Sequence, residues 1–178
     1  MTMKALATGR GRMVVGFSAG FGILLWCAAT ANAADPPDTA TVLGKVHQSN
    51  QKEIAAGKLA QKSGTSRQVK DYGKMLEKDH SAADKKVTAM AKQEKIDLAS
   101  AMPGGGSDDM SNMASDPMFD TKFARAMVDD HKKDIAEVTQ ARDATADPKL
   151  KKLLTELLPT LQKHEETAQK IVDSEPKK

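Results

Sequence analysis

Four stretches of this sequence carry apolar residues at alternating spacings of four and three, which places them on one face of an α-helix. The pattern is clearest near the carboxyl end, where this face consists of Leu150, Leu154, Leu157, Leu161, His164, Ala168 and Ile171. Strand patterns with a period of two are absent from the sequence. The sequence therefore predicts an all-α protein, built as a four-helix bundle.

Residues that end or cap helices divide the four stretches. Gly64 ends the first helix, and Thr65 or Ser66 caps the second. Asp147 and Pro148 stand at the cap and first-turn positions of the fourth. The predicted helices run from residue 42 to 63, from about 66 to 94, from about 118 to 145, and from 148 to about 173.

The segments between these helices define the expected domain organisation. Residues 34–41 form a polar lead-in, and 174–178 form a polar tail. A long crossover at about 96–117 is rich in Gly, Pro, Ser and Asp. The domain at 42–173 is therefore expected to consist of two helical hairpins joined by this crossover.

The first 33 residues have the pattern of a secretory signal peptide. A basic start precedes an apolar run from Met13 to Trp26, and the small residues Ala31 and Ala33 favour cleavage after Ala33. The run is shorter than the roughly 20 residues that a membrane-spanning helix needs. We therefore expect an exported protein of the periplasm or cell envelope, with no transmembrane span after cleavage.

Removal of this leader changes the charge balance. The chain has 27 Lys and Arg against 24 Asp and Glu, and Lys4, Arg10 and Arg12 leave with the leader, so 27 − 3 = 24 basic residues remain against 24 acidic ones. Balanced charge and few aromatic residues argue against nucleic acid as a partner. The mature chain also has no cysteine, so the fold must depend on its core rather than on disulfides.

All four histidines fall on the apolar helix faces. His47 and His80 are 33 residues apart, as are His131 and His164, which indicates a duplicated helical hairpin. Each hairpin turn lies about midway between its two histidines. The four rings are therefore expected to converge on one central layer of the bundle.

Neutral imidazole is a common metal ligand, and facing side chains in four-helix bundles often build metal sites. The sequence therefore suggests a transition-metal site, for Fe, Zn or Cu, at His80, His131 and His164. Glu53 is a carboxylate candidate, although helix rise puts it about 9 Å from the layer of His47. His47 completes the candidate set.

Other interpretations of these residues remain open. A di-iron carboxylate centre is not supported, because the Glu-x-x-His motif of Glu77 and His80 has no counterpart before His131 or His164. A buried histidine layer can also fix the register of a bundle without binding a metal. The crossover offers a separate set of candidate Cu(I) ligands, which consists of Met102, Met110, Met113 and Met118 with Asp108, Asp109 and Asp116.

Five short motifs resemble one protein family. They are EIAAGKLA at 53–60, the pair Asp79-His80, FDTKF at 119–123, MVDDH at 127–131 and LPTLQKH at 158–164. The chain is identified by them as a member of domain-of-unknown-function family 4142. The members of this family are exported proteins, often labelled "predicted outer membrane protein", of the ferritin-like superfamily.

The resemblance implies a ferritin-like four-helix fold in the bacterial envelope, with no established reaction. The family pattern covers Glu53, His80, His131 and His164. His47 departs from it, since a small or apolar residue is expected at that position.

Two functions of different classes follow. The first is a metal-binding module of the periplasm, and the second is a non-catalytic structural or interaction protein with a metal-free polar layer. The second would meet an envelope protein partner or the membrane surface through its charged faces. The sequence has no recognisable catalytic motif, so an enzyme activity would depend on a metal centre.

Overall fold

The computed structural model describes residues 38–102 and 110–174, and both ranges are largely helical. The expected signal peptide, residues 1–33, lies outside the described residues. The described residues form four long helices, with a short helix and a 3-10 turn in the connection between the second and the next long helix. The helices are α1 (Thr39–Ser63), α2 (Arg67–Gln93), the short α3 (Leu98–Ala101), α4 (Phe119–Ala144) and α5 (Pro148–Asp173), and the turn is Met110–Met113.

Side-chain caps explain where the long helices begin. The Ser66 hydroxyl accepts a hydrogen bond from the Val69 amide at 3.2 Å and starts α2. Asp147 caps α5, with Pro148 in its first turn. Helix α1 begins three residues before residue 42, because the carboxylate of Asp38 accepts from the Thr41 amide and caps it.

The two hairpins have their turns at opposite ends of the bundle. The backbone amide of Thr65, in the first turn, donates to the Asp120 carboxylate at the start of α4. The Thr39 hydroxyl at the start of α1 lies 3.4 Å from Asp147 in the second turn. Helices α2 and α4 therefore run parallel, and the end of α2 and the start of α4 lie at opposite ends of the bundle. This arrangement confirms the predicted all-α fold of two hairpins joined by a long crossover.

The core consists of two hydrophobic clusters, one toward each end of the bundle. The first cluster includes Leu43, Val87, Val138, Leu150 and Leu154, and the second includes Leu76, Phe123, Met127, Ala168 and Ile171. In α2, α4 and α5, one buried polar residue lies between the two clusters along the chain, and in α1 two do, Asn50 and Glu53. Asn50, His80, His131 and His164 form what we call the polar layer.

Two glycines let α1 and α2 approach closely near the first turn. A Cβ atom added to Gly57 would lie 2.6 Å from the Gly73 carbonyl oxygen, and one added to Gly73 would lie 2.6 Å from the Gly57 carbonyl oxygen. Any side chain at either position would therefore push the helices apart.

The long helices are amphipathic rather than uniformly apolar. Across residues 38–102 and 110–174, none of the helices has an apolar stretch able to cross a membrane.

Candidate metal centre

Three histidines from three different helices meet at the centre of the bundle. His80 on α2, His131 on α4 and His164 on α5 are at most 3% exposed. Their ring centroids are 5.1 to 5.7 Å apart, and one nitrogen of each ring lies within 4.8 Å of the other two. The structure therefore brings together three of the four sequence-predicted rings.

In two of these rings, the nitrogen that faces away from the other rings bonds to a group that can only accept hydrogen bonds. We call this nitrogen the outer nitrogen. His131 Nδ1 donates to the Met127 carbonyl oxygen at 2.9 Å. His164 Nε2 donates to the Asp79 carboxylate at 3.1 Å. Since a neutral imidazole carries one proton, the other nitrogens, His131 Nε2 and His164 Nδ1, are lone-pair acceptors.

The third ring completes this arrangement. His80 Nδ1 lies 2.9 Å from the side-chain oxygen of Asn50, so His80 Nε2 also carries a lone pair when Nδ1 donates. His80 Nε2 is 3.2 Å from His164 Nδ1. Two lone pairs this close repel each other unless a cation lies between them.

A second proton arrangement removes this repulsion without a cation. If the Asn50 amide is turned, its nitrogen donates to His80 Nδ1, and His80 Nε2–H then donates to His164 Nδ1. The heavy atoms need not move, because the amide oxygen and nitrogen exchange places. The layer therefore has one proton arrangement that suits a metal ion and one that suits a metal-free core.

Burial keeps the rings neutral, which is the form that binds metal ions. Loss of solvation, and then the nearby His164 and His131, lower the pKa of His80 to about 2. Loss of solvation likewise lowers the pKa of His131 to about 4. Burial also lowers the pKa of His164, although its hydrogen bond to Asp79 opposes that effect.

The polar layer and its neighbours also contain buried polar atoms that have no hydrogen-bond partner. In the part of the chain that the structure describes, the buried side-chain polar atoms without a hydrogen-bond partner are Asn50 Nδ2, Glu53 Oε2, Tyr72 Oη and His131 Nε2. Asn50 contacts His80, Glu53 contacts His131, and the Tyr72 ring lies edge-on to His164 with centroids 6.4 Å apart. Buried unpaired groups are costly, and their concentration around one site is typical of a bound ion, water or ligand.

Glu53 lies closer to the histidines than the helix-rise estimate suggests. Its Oε1 is 4.0 Å from His131 Nδ1, and the residue is 5% exposed. Burial, and then the charges of Asp134 and Asp130, raise the pKa of Glu53 to about 8. The estimate of 9 Å was wrong because it was counted from His47. Glu53 contacts the outer edge of the His131 ring and is not among the converging ligand atoms.

His47 lies apart from the other three rings. Its Nδ1 is 2.6 Å from the Asp84 carboxylate, and its side chain is 22% exposed. The expected convergence of four rings was wrong for this residue because the first turn is centred on Thr65, which makes Asn50 and His80 equidistant from it.

Two of the four methionines of the crossover pack against the core. Met110 and Met113 are half-buried and pack against the second cluster, whereas Met102 and Met118 are exposed. Asp108 and Asp109 of that candidate copper set lie outside the described residues.

Comparison with known proteins identifies one family. A family model for a domain of unknown function, DUF4142, matches residues 27–171, a range that includes the three converging histidines and the long helices except the last two residues of α5. Neither a curated protein nor a solved structure shows significant similarity to the chain. The chain therefore belongs to domain-of-unknown-function family DUF4142.

Proposed function

We propose that this protein binds a transition-metal ion in its core, through His80 Nε2, His131 Nε2 and His164 Nδ1. The observation that carries the proposal is the convergence of three buried, neutral imidazoles, two of whose nitrogens are only 3.2 Å apart. A metal ion would accept all three lone pairs and remove the repulsion between them.

The surroundings of the rings support this assignment. Metal-binding histidines usually donate their second N–H to a carboxylate or a backbone carbonyl, which fixes the ring and increases its basicity. Asp79 and the Met127 carbonyl have these roles for His164 and His131. The Asn50 amide oxygen has the same role for His80.

Three histidines with an open fourth position are a ligand set that suits Zn(II). Tetrahedral coordination with bonds of 2.0 to 2.1 Å places ligand nitrogens about 3.3 to 3.4 Å apart. The separation of 3.2 Å between His80 Nε2 and His164 Nδ1 is close to this value. Fe(II) and Cu(I) are the competing ions, and a fourth position would be filled by solvent or a small ligand.

The proposal extends to location. The first 33 residues support export, because a basic start and an apolar run are followed by small residues at the expected cleavage site. The metal would then be acquired in the bacterial periplasm or cell envelope. Fractionation of cells that express the full chain, with sequencing of the mature amino terminus, tests this part. Export predicts a terminus at Ala34, and a retained leader in the cytoplasmic fraction would contradict it.

The decisive experiment compares two histidine variants. The mature protein is loaded with Zn(II), dialysed and analysed for metal content, and thermal melts are recorded with Zn(II) and with chelator. We expect one ion per chain and a higher melting temperature with Zn(II). His80→Ala should abolish both, whereas His47→Ala should retain both because His47 lies outside the converging group.

The metal-free polar layer is the second candidate function. It is favoured by the alternative proton arrangement, which satisfies His80 and His164 with the Asn50 amide turned. It predicts no bound metal, no effect of Zn(II) on the melt, and equal destabilisation by His80→Ala with and without metal. Nitrogen-15 NMR distinguishes the two, because Nε2 of His80 is protonated in this arrangement and unprotonated in the metal-binding one.

A further inference from the structure

A cavity of about 470 Å³ extends from the polar layer into the first hydrophobic cluster. Its aliphatic wall includes Val138, Leu154 and Leu161. The cavity opens to solvent, since its lining also includes the exposed Thr41, Lys45 and Gln140, so a small molecule could enter it from outside. Its volume lies within the range of roughly 300 to 1,000 Å³ that is typical of small-molecule sites.

One polar side chain on the cavity wall is incompletely paired. Asn50 is 4% exposed, and one half of its amide bonds to His80 while the other half has no partner. This holds for either orientation of the amide, since turning it only exchanges the unpaired nitrogen for an unpaired oxygen. A ligand head that both donates and accepts hydrogen bonds would satisfy Asn50 in each orientation.

The charges around the cavity select against anions. Its charged lining residues are three carboxylates, on Asp79, Asp134 and Glu137, and one ammonium group, on Lys45. A carboxylate ligand would therefore enter a region of like charge, and an uncharged head avoids this cost.

We infer that this cavity binds an uncharged aliphatic molecule with an amide or hydroxyl head, the head bonded to Asn50 and the chain among the leucines and valines. The inference goes beyond the proposed metal site and does not require a metal ion. Asn50 would then form hydrogen bonds to two neighbours, through one half of its amide to His80 and through the other half to the ligand.

The test uses octanamide as the probe, with octanoate as its charged analogue, in calorimetric titrations of the mature protein in chelator. We expect saturable binding of octanamide and at least tenfold weaker binding of octanoate. Ala141→Phe places a large ring on the cavity wall and should abolish binding. Ala136→Phe, on the exposed side of the same helix, is the matched control and should bind as the parent does.

A second measurement on the unmodified protein covers the case in which Ala141→Phe disturbs the fold. The side-chain amide signal of Asn50 should shift on titration with octanamide, and that of the exposed Asn112 should not. Absence of saturable binding, equal binding of octanoate, or unchanged binding by folded Ala141→Phe would overturn the inference. Because chelator is present throughout, these outcomes are independent of whether the histidines bind metal.

Discussion

The metal-free protein should be most stable near pH 6.5, because two kinds of buried group titrate in opposite directions. Unfolded histidine has a pKa near 6.5, whereas the folded values are about 2 for His80 and about 4 for His131. Below pH 6.5 the unfolded chain therefore binds protons that the folded protein does not, and stability falls as the pH falls. His164 acts in the same direction.

Glu53 has the opposite effect. Its folded pKa of about 8 exceeds its ordinary value of 4.5, so the folded protein retains a proton that the unfolded chain loses between these values. Its stabilising contribution is complete below pH 4.5 and is lost as the pH rises through 8.

The expected slopes follow from these values. Each group changes the free energy of unfolding by about 1.4 kcal/mol per pH unit within its window. From pH 6.5 to 8 only Glu53 acts among these groups, so stability should fall by about 1.4 kcal/mol per unit. From pH 6.5 down to 4.5, His80 and His131 together outweigh Glu53 by about the same slope, to which His164 adds.

Urea unfolding followed by circular dichroism, at intervals from pH 4.5 to 8 in chelator, measures these slopes. Glu53→Gln should remove the loss of stability above pH 6.5 and make the loss of stability below pH 6.5 steeper. The conservative variant Glu137→Gln, at an exposed carboxylate on α4, should leave both limbs unchanged. A flat profile above pH 6.5, or an unchanged alkaline limb in Glu53→Gln, would refute the assignment of Glu53 as a buried, protonated acid.

Three further predictions concern helix packing, helix capping and the metal site. Gly73→Ala should lower the free energy of unfolding by roughly 1 to 3 kcal/mol in urea melts, because its Cβ would lie 2.6 Å from the Gly57 carbonyl oxygen. An increase in stability, as expected from the helix propensity of alanine alone, would contradict the close approach of the two helices. Ser66→Ala should cost about 1 kcal/mol by removing the cap of α2, and the uncharged capping variant Ser66→Asn should restore most of it without adding a carboxylate beside Asp120. Asp79→Asn should weaken Zn(II) binding about 10- to 100-fold in chelator competition, because the His164 ring loses its carboxylate partner; unchanged affinity would exclude that role.

Strong helical periodicity made most of the fold predictable. Every predicted member of the α5 face is buried, because leucines and small residues at that spacing have only one favourable environment. The starts of α2 and α5 were predictable as well: Thr65 or Ser66 was predicted to cap α2, where Ser66 does so, and Asp147 caps α5 as predicted.

The first helix shows why the site was only partly predictable. The predicted face of α1 contained Leu43, His47, Asn50, Ile54 and Gly57. The structure buries Leu43, Asn50 and Gly57, leaves His47 and Ile54 half-buried, and buries Glu53 as well, which the pattern did not place on this face. The spacing of apolar residues within one helix cannot show how that helix is rotated against its neighbour.

The cavity and the partners of the outer nitrogens were not predictable at all. Both depend on which side chains meet across helices, and Asp79 and His164 are 85 residues apart in the chain. The spacing of the histidines predicted that the three rings meet. Their tautomers depend on the hydrogen-bond partners of the outer nitrogens, which the sequence does not show.

The two hairpins contribute unequally to the histidine group. The first contributes only His80, whereas the second contributes both His131 and His164. An ion bound to all three would act as a crosslink between two units that are otherwise held by packing and are connected by one long crossover. Loss of such an ion would remove this crosslink, so local opening of the bundle at mid-height should become more frequent.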